Sequence, residues 1–294
     1  MLFRSWGVIN FSLRPLKRIE EKAAAIAEGD LSVRLDEANP KTEVGRLTTS
    51  LNQMLSRIED SFAARTKSES RLRRFVADAS HELRTPLTAI RGFAELHRQG
   101  AVVGEEKTKE LVGRIEKESI RMGSLVEDLL LLARLDQAPM LNKDPVDLTH
   151  LINEVVESAR AAGPNHPISV VVENDLFVLG DSMRIHQAVA NLLANTRTHT
   201  PAGTNVAVNA ESNENEVTIT VLDDGPGLSK SDQERIFERF FRADPSRKRT
   251  SGEGSGLGLA IVDAVMKAHG GSVTVASEEG QGCAFTLHFP ITKD

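Results

Sequence analysis

The sequence predicts a multidomain chain: an α-helical coiled-coil linker, a helical hairpin, and an α/β two-layer sandwich. Three observations predict it. Apolar residues step by three and four through roughly the first 136 positions. The pattern then changes to short alternating runs rich in valine and isoleucine. Glycine-rich segments gather beside those runs in the last third of the chain. The length of 294 residues suits two or three domains.

Composition narrows the classes. Apolar content of 40% is enough for a real core, and 27% charge is too ordinary for wholesale disorder. A net charge of −6 supplies no basic field for nucleic acid, which is not expected as a partner. The single cysteine, Cys283, excludes an internal disulfide framework and suits a reducing compartment. With no tyrosine and one tryptophan, the cores must be built from Leu, Val, Ile and Ala. No run of about 18 apolar residues is present, so no segment is expected to span a bilayer. Residues 1–12 read as a membrane-proximal stub, either the remnant of a membrane helix or an appended cloning scar.

Residues 13–65 form the predicted linker. Leu16, Ile19, Ala23 and Ile26 make one seam; Val44, Leu47, Leu51, Met54 and Ile58 make a second. Gly29 ends the first helix and Pro40 lies in the extended connector. Two short seams need more surface than one chain provides, so a parallel dimer is expected. Between Ile58 and Leu72 the seam carries Ser61, Arg65 and Ser68 where a heptad wants apolar residues. That stretch reads as a weak joint between linker and hairpin.

Residues 66–138 read as the hairpin, with helices from about Ser68 to Arg98 and from about Glu106 to Leu135. Gly100 and Gly104 make the turn. A four-helix bundle built from two copies, a homodimer, is the simplest way to bury its apolar faces. At about 100° per residue, Leu72, Val76, Ala79, Leu83, Leu87, Ile90 and Ala94 fall within about 80° of one another. His81 lies about 180° from the middle of that stripe and is expected in solvent.

The neighbours of His81 read Ser80-His81-Glu82-Leu83-Arg84-Thr85-Pro86-Leu87. An imidazole with one unprotonated nitrogen is a nucleophile near neutral pH. Glu82 can take the proton from the other ring nitrogen. Thr85, four residues on, shares nearly the same face. Pro86 removes a helical hydrogen bond and loosens the helix below the histidine. A zinc-protease helix is excluded, because the second histidine of His-Glu-x-x-His is replaced by Thr85.

Residues 145–294 read as the α/β domain. Strands are expected at Val170–Val172, Phe177–Leu179, Val206–Val208, Val217–Leu222, Ser272–Val275 and Ala284–Phe289. Helices are expected at about Leu148–Ala161, Ser182–Thr198 and Leu257–His269. Four segments here carry chemistry. Asn191 and Asn195 stand one helical turn apart, offering amide oxygens of the kind Mg²⁺ accepts. Asp223-Asp224-Gly225-Pro226-Gly227 runs from a strand into a turn, where a carboxylate can accept the amine of adenine. Ile236-Phe237-Glu238-Arg239-Phe240-Phe241-Arg242 offers aromatic anchors, and Arg239 or Arg242 for phosphate. Gly252-Glu253-Gly254-Ser255-Gly256-Leu257-Gly258 leads into an apolar helix whose first amides can face phosphates. Neither the Rossmann nor the P-loop spacing fits it.

These motifs, in this order over nearly the whole chain, resemble the sensor histidine kinases of bacterial two-component systems. The stretch Phe75–Leu87 matches their H-box; the four later segments match the N, G1, F and G2 boxes of the GHKL ATPase fold. The linker resembles a HAMP domain. The resemblance implies phosphorylation of His81 from ATP, with Glu82 as base and Thr85 positioning water for a phosphatase reaction. It implies transfer onward to an aspartate of a response regulator receiver domain, chosen by exposed hairpin residues such as Arg91, Glu95 and Arg98. It also implies a cytoplasmic position below a membrane segment upstream of this chain. By the same resemblance Asn195 ligates Mg²⁺, Asp223 reads adenine, and residues 244–255 cover ATP. The ATP-binding set is Asn191, Asn195, Arg197, His199, Asp223, Gly225, Gly227, Arg239, Arg242, Gly254, Gly256, Leu257 and Gly258. Two departures stand out. Cys283 replaces a usual hydroxyl residue, and Thr198 a frequent lysine, which leaves phosphate contacts to Arg197 or Arg242. Asn191 stands where the hydrolysing relatives carry a glutamate base, which favours transfer over hydrolysis.

Overall fold

The computed structural model describes residues 20, 22, 30, 33–36, 41–136, 144–242 and 255–291. The first linker seam, Gly29, Pro40, Gly252 and Gly254 lie outside them. Two compact units meet between Ala77 and Asp78.

In the first unit, residues 33–36 lie against helix α1 (Glu43–Arg98) at Asn52 and Glu59. Asn52 binds them as a backbone mimic. Its Oδ1 accepts from the Leu35 amide at 2.9 Å and its Nδ2 donates to the Leu35 carbonyl at 3.0 Å. Arg34 pairs with Glu59. The covered face of α1 is therefore Gly45, Thr48, Asn52 and Leu55. The expected seam is left partly open, with Leu47 and Met54 about half exposed. The helix expected to begin near Ser68 instead continues unbroken from Glu43: α1 is one helix of 56 residues. Ser61, Arg65 and Ser68 are exposed and interrupt the apolar period but not the helix. Arginine is a good helix former and exposed serines cost only tenths of a kcal/mol each.

The second unit continues α1, turns at Gln99–Gly104 and returns along α2 (Glu105–Leu135). The α/β domain then begins with β1 (Asp144–Asp147), too short to show in the sequence, which pairs antiparallel with β3 (Phe177–Gly180). Between them lie α3 (Leu148–Ala162) and β2 (Ile168–Val172). There follow α4 (Ser182–His199), β4 (Val206–Ser212), β5 (Glu216–Asp223), a single turn α5 (Lys230–Gln233), α6 (Gly258–Ala268), β6 (Ser272–Ser277) and β7 (Cys283–Pro290). Aspartates open two of the helices as N-caps: Asp147 accepts from the His150 amide and Asp181 from that of Arg184.

Five strands form one sheet in the order β2-β4-β5-β7-β6, antiparallel except for β2 with β4. Alternation puts one row, Val170, Val208, Val221, Phe285 and Val275, on a single face. The helices cover that face: α4 packs between α3 and α6. His269, just past α6, holds the start of α4. Its Nε2 accepts from the Asp181 amide at 3.0 Å, which leaves Nδ1 to donate to the Val265 carbonyl at 2.8 Å. The two-layer architecture is the one expected from the sequence.

Candidate functional site

Two residues along from that apolar row, the same register gives Ile168, Val206, Asp223, Cys283 and Ser277. Asp223 thus occupies an inward position of β5, in phase with buried Val217, Ile219 and Val221. The core ends there and a cavity of about 680 Å³ begins, lined by Asp223. Burial pushes the Asp223 carboxyl above its ordinary value, and hydrogen bonds from the Gly225 and Cys283 amides pull the other way. The Gly225 amide donates to Oδ1 at 3.0 Å. Next to it Asp224 turns outward, accepting from both the amide and the side chain of Asn205, which lowers its pKa.

The turn after β5 is tied to the β6–β7 hairpin. Ser277 Oγ accepts from the Leu228 amide at 2.8 Å and donates to the Gly282 carbonyl at 2.6 Å. Gln233 Nε2 donates to the carbonyls of both Leu228 and Ser277. A Cβ on Gly227 would lie 2.1 Å from the Glu278 carbonyl oxygen, so no side chain fits there. Cys283 Sγ sits 3.3 Å from Ser277 Oγ.

Helix α4 presents Asn191, Asn195 and His199 to the cavity from successive turns. Asn191 Nδ2 donates to the Gly258 carbonyl at 3.3 Å, leaving its amide oxygen to other partners. The Phe240 amide donates to the Gly256 carbonyl at 2.9 Å. Gly256 has φ 71° and lies so close to the Phe240 backbone that a Cβ would meet it at 3.0 Å. Gly256, Gly258 and Arg242 line the same cavity. Segment 236–242 forms turns, not a helix.

The remaining wall comes from the hairpin. Glu82 of α1 and Lys117, Glu118, Arg121, Ser124, Leu125 and Asp128 of α2 line the cavity. Leu125, Leu131 and Leu132 of α2 belong to the same buried cluster as the α/β core. Burial raises the pKa of Asp128, against a hydrogen bond from Ser255. His81 itself is exposed, as its position opposite the stripe predicts.

Three family descriptions match the chain in order: HAMP domain at residues 7–60, His Kinase A (phospho-acceptor) domain at 71–138, and Histidine kinase-, DNA gyrase B-, and HSP90-like ATPase at 180–293. The probable sensor histidine kinase TcrY of Mycobacterium tuberculosis is 44% identical over 97% of this chain and 61% of its own length. The sensor histidine kinase TrcS of the same organism is 39% identical over 97% and 58%.

The chain belongs to the sensor histidine kinase family.

It spans about three fifths of the length of these curated relatives. Among solved structures, full-length ShkA in complex with AMPPNP is similar at 31% identity, with a TM-score of 0.57, over 76% of this chain and 46% of that one.

Against this sensor kinase frame, the cavity gathers Glu82, Asn191, Asn195, His199, Asp223, Gly227, Arg242, Gly256 and Gly258. Other expected site residues stand outside its lining. Arg197 is exposed, and its stem lies over Gly163, whose Cβ would be 2.6 Å from Arg197 Cδ. Arg239 is engaged by Asp136 of the hairpin through two hydrogen bonds of 2.7 and 2.8 Å. Gly225 is buried beneath the turn and Leu257 is buried in the core cluster. Thr85 faces its own helix, with Oγ1 3.4 Å from the His81 carbonyl. Sequence reasoning missed Ser277, Gln233 and the α2 wall. Ser277 had a local signal, because it shares the inward row with Asp223. The α2 wall had none.

Proposed function

We propose that this sensor kinase chain moves the γ-phosphoryl group of ATP to His81 and passes it to an aspartate of a response regulator receiver domain. The observation that carries this reading is the shared cavity. Glu82, next to His81, and the Asn191, Asn195 and Asp223 set line one space.

The chemistry follows from the residues. Asp223 accepts the exocyclic amine of adenine, and the turn closed by Gly227 brings backbone against the base. The first amides of α6 and Arg242 meet phosphate oxygens. The unprotonated ring nitrogen of His81 attacks phosphorus, and Glu82 takes the proton from the other nitrogen. Among the described residues no group of three or more His, Cys, Asp or Glu could hold a metal. That fits Mg²⁺, which takes few protein ligands and shares phosphates and water. Asn195, with Asn191 beside it, would hold it. When bound, Mg²⁺ neutralises phosphate charge. Asn191 cannot act as a base for water, which argues against a mechanical ATPase.

The kinase works as a homodimer in this reading, with a bundle formed around the exposed Leu87, Val112, Val126 and Leu130. Thr85 orients water for dephosphorylating the regulator. The chain lies on the cytoplasmic side and reaches the membrane through a segment upstream. No helix among the described residues is long and apolar enough to cross a bilayer.

The test uses γ-labelled ATP. Acid-labile, base-stable label is expected on the wild type and absent from His81→Ala. Label retained in that variant shows another acceptor and sinks the reading. Thr85→Ala should keep the label and lose regulator dephosphorylation about tenfold or more, within the range for a positioned proton-transfer or water-orienting group.

A further inference from the structure

The cavity contains a cation that the reading above does not use. Arg121 of α2 is half-buried, lines the cavity, and makes no ion pair or hydrogen bond with any described residue. Among the hairpin's other arginines, Arg114 pairs with Glu110 and Arg98 with Glu95, whereas Arg84, Arg91 and Arg134 stand exposed in water. A guanidinium withdrawn from water without a partner is costly, and its flat fork of donors matches phosphate oxygens.

Its placement is fixed from two sides. Leu125, one turn further on, is sealed in the α/β core cluster. Asp128, seven residues on and about 10 Å along the helix, meets Ser255 at the start of the α6 segment. Arg121 therefore faces the cavity from the hairpin side, where Glu82 also lies. On the opposite wall α4 offers Thr198 where a cation would help, and the Thr198 hydroxyl already donates to the Ala194 carbonyl at 2.7 Å. The hairpin wall thus carries two cations, Lys117, which is exposed, and Arg121, which is half-buried and has no partner among the described residues.

We propose that Arg121 binds the terminal phosphoryl group of the nucleotide and stabilises it during transfer to His81; this rests on the kinase reading. In the step, the bond from the γ-phosphorus to the β,γ-bridging oxygen breaks and its electron pair leaves on ADP. A phosphorus–nitrogen bond forms to His81, and the proton of the other ring nitrogen passes to Glu82. Arg121 stays charged throughout and donates N–H groups to the oxygens that carry the developing charge.

Single-turnover labelling of the full chain at saturating ATP, together with binding of ADP and a non-hydrolysable ATP analogue, tests it. Arg121→Ala should slow labelling about 10²–10³-fold, as loss of one preorganised donor to a transition state does. Arg121→Lys should recover part of the rate. ADP affinity should be unchanged while analogue affinity falls severalfold. Arg114→Ala, on the same helix, should match the wild type. Labelling by Arg121→Ala within twofold of wild type overturns the proposal, as does an equal loss of ADP and analogue affinity, which marks a purely structural residue. If the wild type takes no label on His81, the kinase reading fails first. The two binding measurements still decide whether Arg121 touches the terminal phosphate.

Discussion

In the α/β domain Ile219, Val221, Phe285 and Leu287 are sealed from solvent, whereas on the hairpin Leu87, Val112, Val126 and Leu130 remain 41% to 56% exposed. The residue types are similar and the outcomes opposite. Sheet and helices close over one another within a single chain, because strand alternation and the helix stripes present two matching faces. Two antiparallel helices have no second layer. The outer sides of α1 and α2 need another surface, while one inner side of α2 is used by the α/β core. The hairpin covers the cavity with one side, and in the proposed homodimer its open side meets a second copy.

The largest effect should come from the closed region. Leu287→Ala removes a fully buried side chain from the middle of the sheet and should cost about 2–5 kcal/mol. Urea unfolding followed by far-UV circular dichroism measures it; a loss under 1 kcal/mol would mean that the core repacks freely. The open region should respond in association. Leu87→Glu with Val126→Glu should turn a dimer into monomers in sedimentation equilibrium and leave nucleotide affinity within about twofold. A dimer that survives both charges places the partner face elsewhere.

Asp223→Asn sharpens the boundary between core and cavity. Loss of a charge-assisted hydrogen bond of about 1.5–3 kcal/mol should weaken nucleotide binding about 10- to 100-fold. Stability should move the other way. The folded state holds the Asp223 proton more tightly than the unfolded chain, so the ionised form costs stability above the folded pKa. That cost is relieved as pH falls through the raised folded value, and Asn removes it altogether. The melting temperature of Asp223→Asn at neutral pH is therefore expected to equal or exceed the wild type. Wild-type nucleotide affinity should begin to fall on acidification at a pH above that of an ordinary aspartate, as fluorescence titration of a labelled nucleotide would show. The smallest effect belongs to Arg239→Ala. Its pair with Asp136 is only partly exposed, yet still in contact with water, and should contribute about 1 kcal/mol to unfolding free energy.

Much of this architecture was legible because it is written locally. Asp147 and Asp181 mark helix starts, and the alternation of Val217–Leu222 gives both a strand and the inward direction of Asp223. His81 is exposed, as helical phase expects, and the opposite stripe is also open at Leu72, Val76 and Leu87. What escaped was either too short or too distant. Asp144–Asp147 is four residues with a proline, admissible as an edge strand but carrying no period. The continuity of α1 was hidden because Ser61, Arg65 and Ser68 break the apolar rhythm without breaking the helix. Asn52 carries no signal of its own in the sequence, because its role depends on Leu35 lying against it. The approach of Asp128 to Ser255, more than a hundred residues away, and the place of Arg121 in the cavity wall leave no trace in local spacing. Arg197 and Arg239 were expected at the cavity because charge alone does not tell where a guanidinium points.

Cys283 carries a practical consequence. It is the one thiol in 294 residues and it forms part of the cavity wall beside Asp223. Burial raises its pKa, so the reactive thiolate is scarce at neutral pH and modification should be slow. A small aromatic disulfide reagent thus becomes a native reporter of occupancy. The rate at which it colours the solution reads how much of the chamber stands open, with no engineered label.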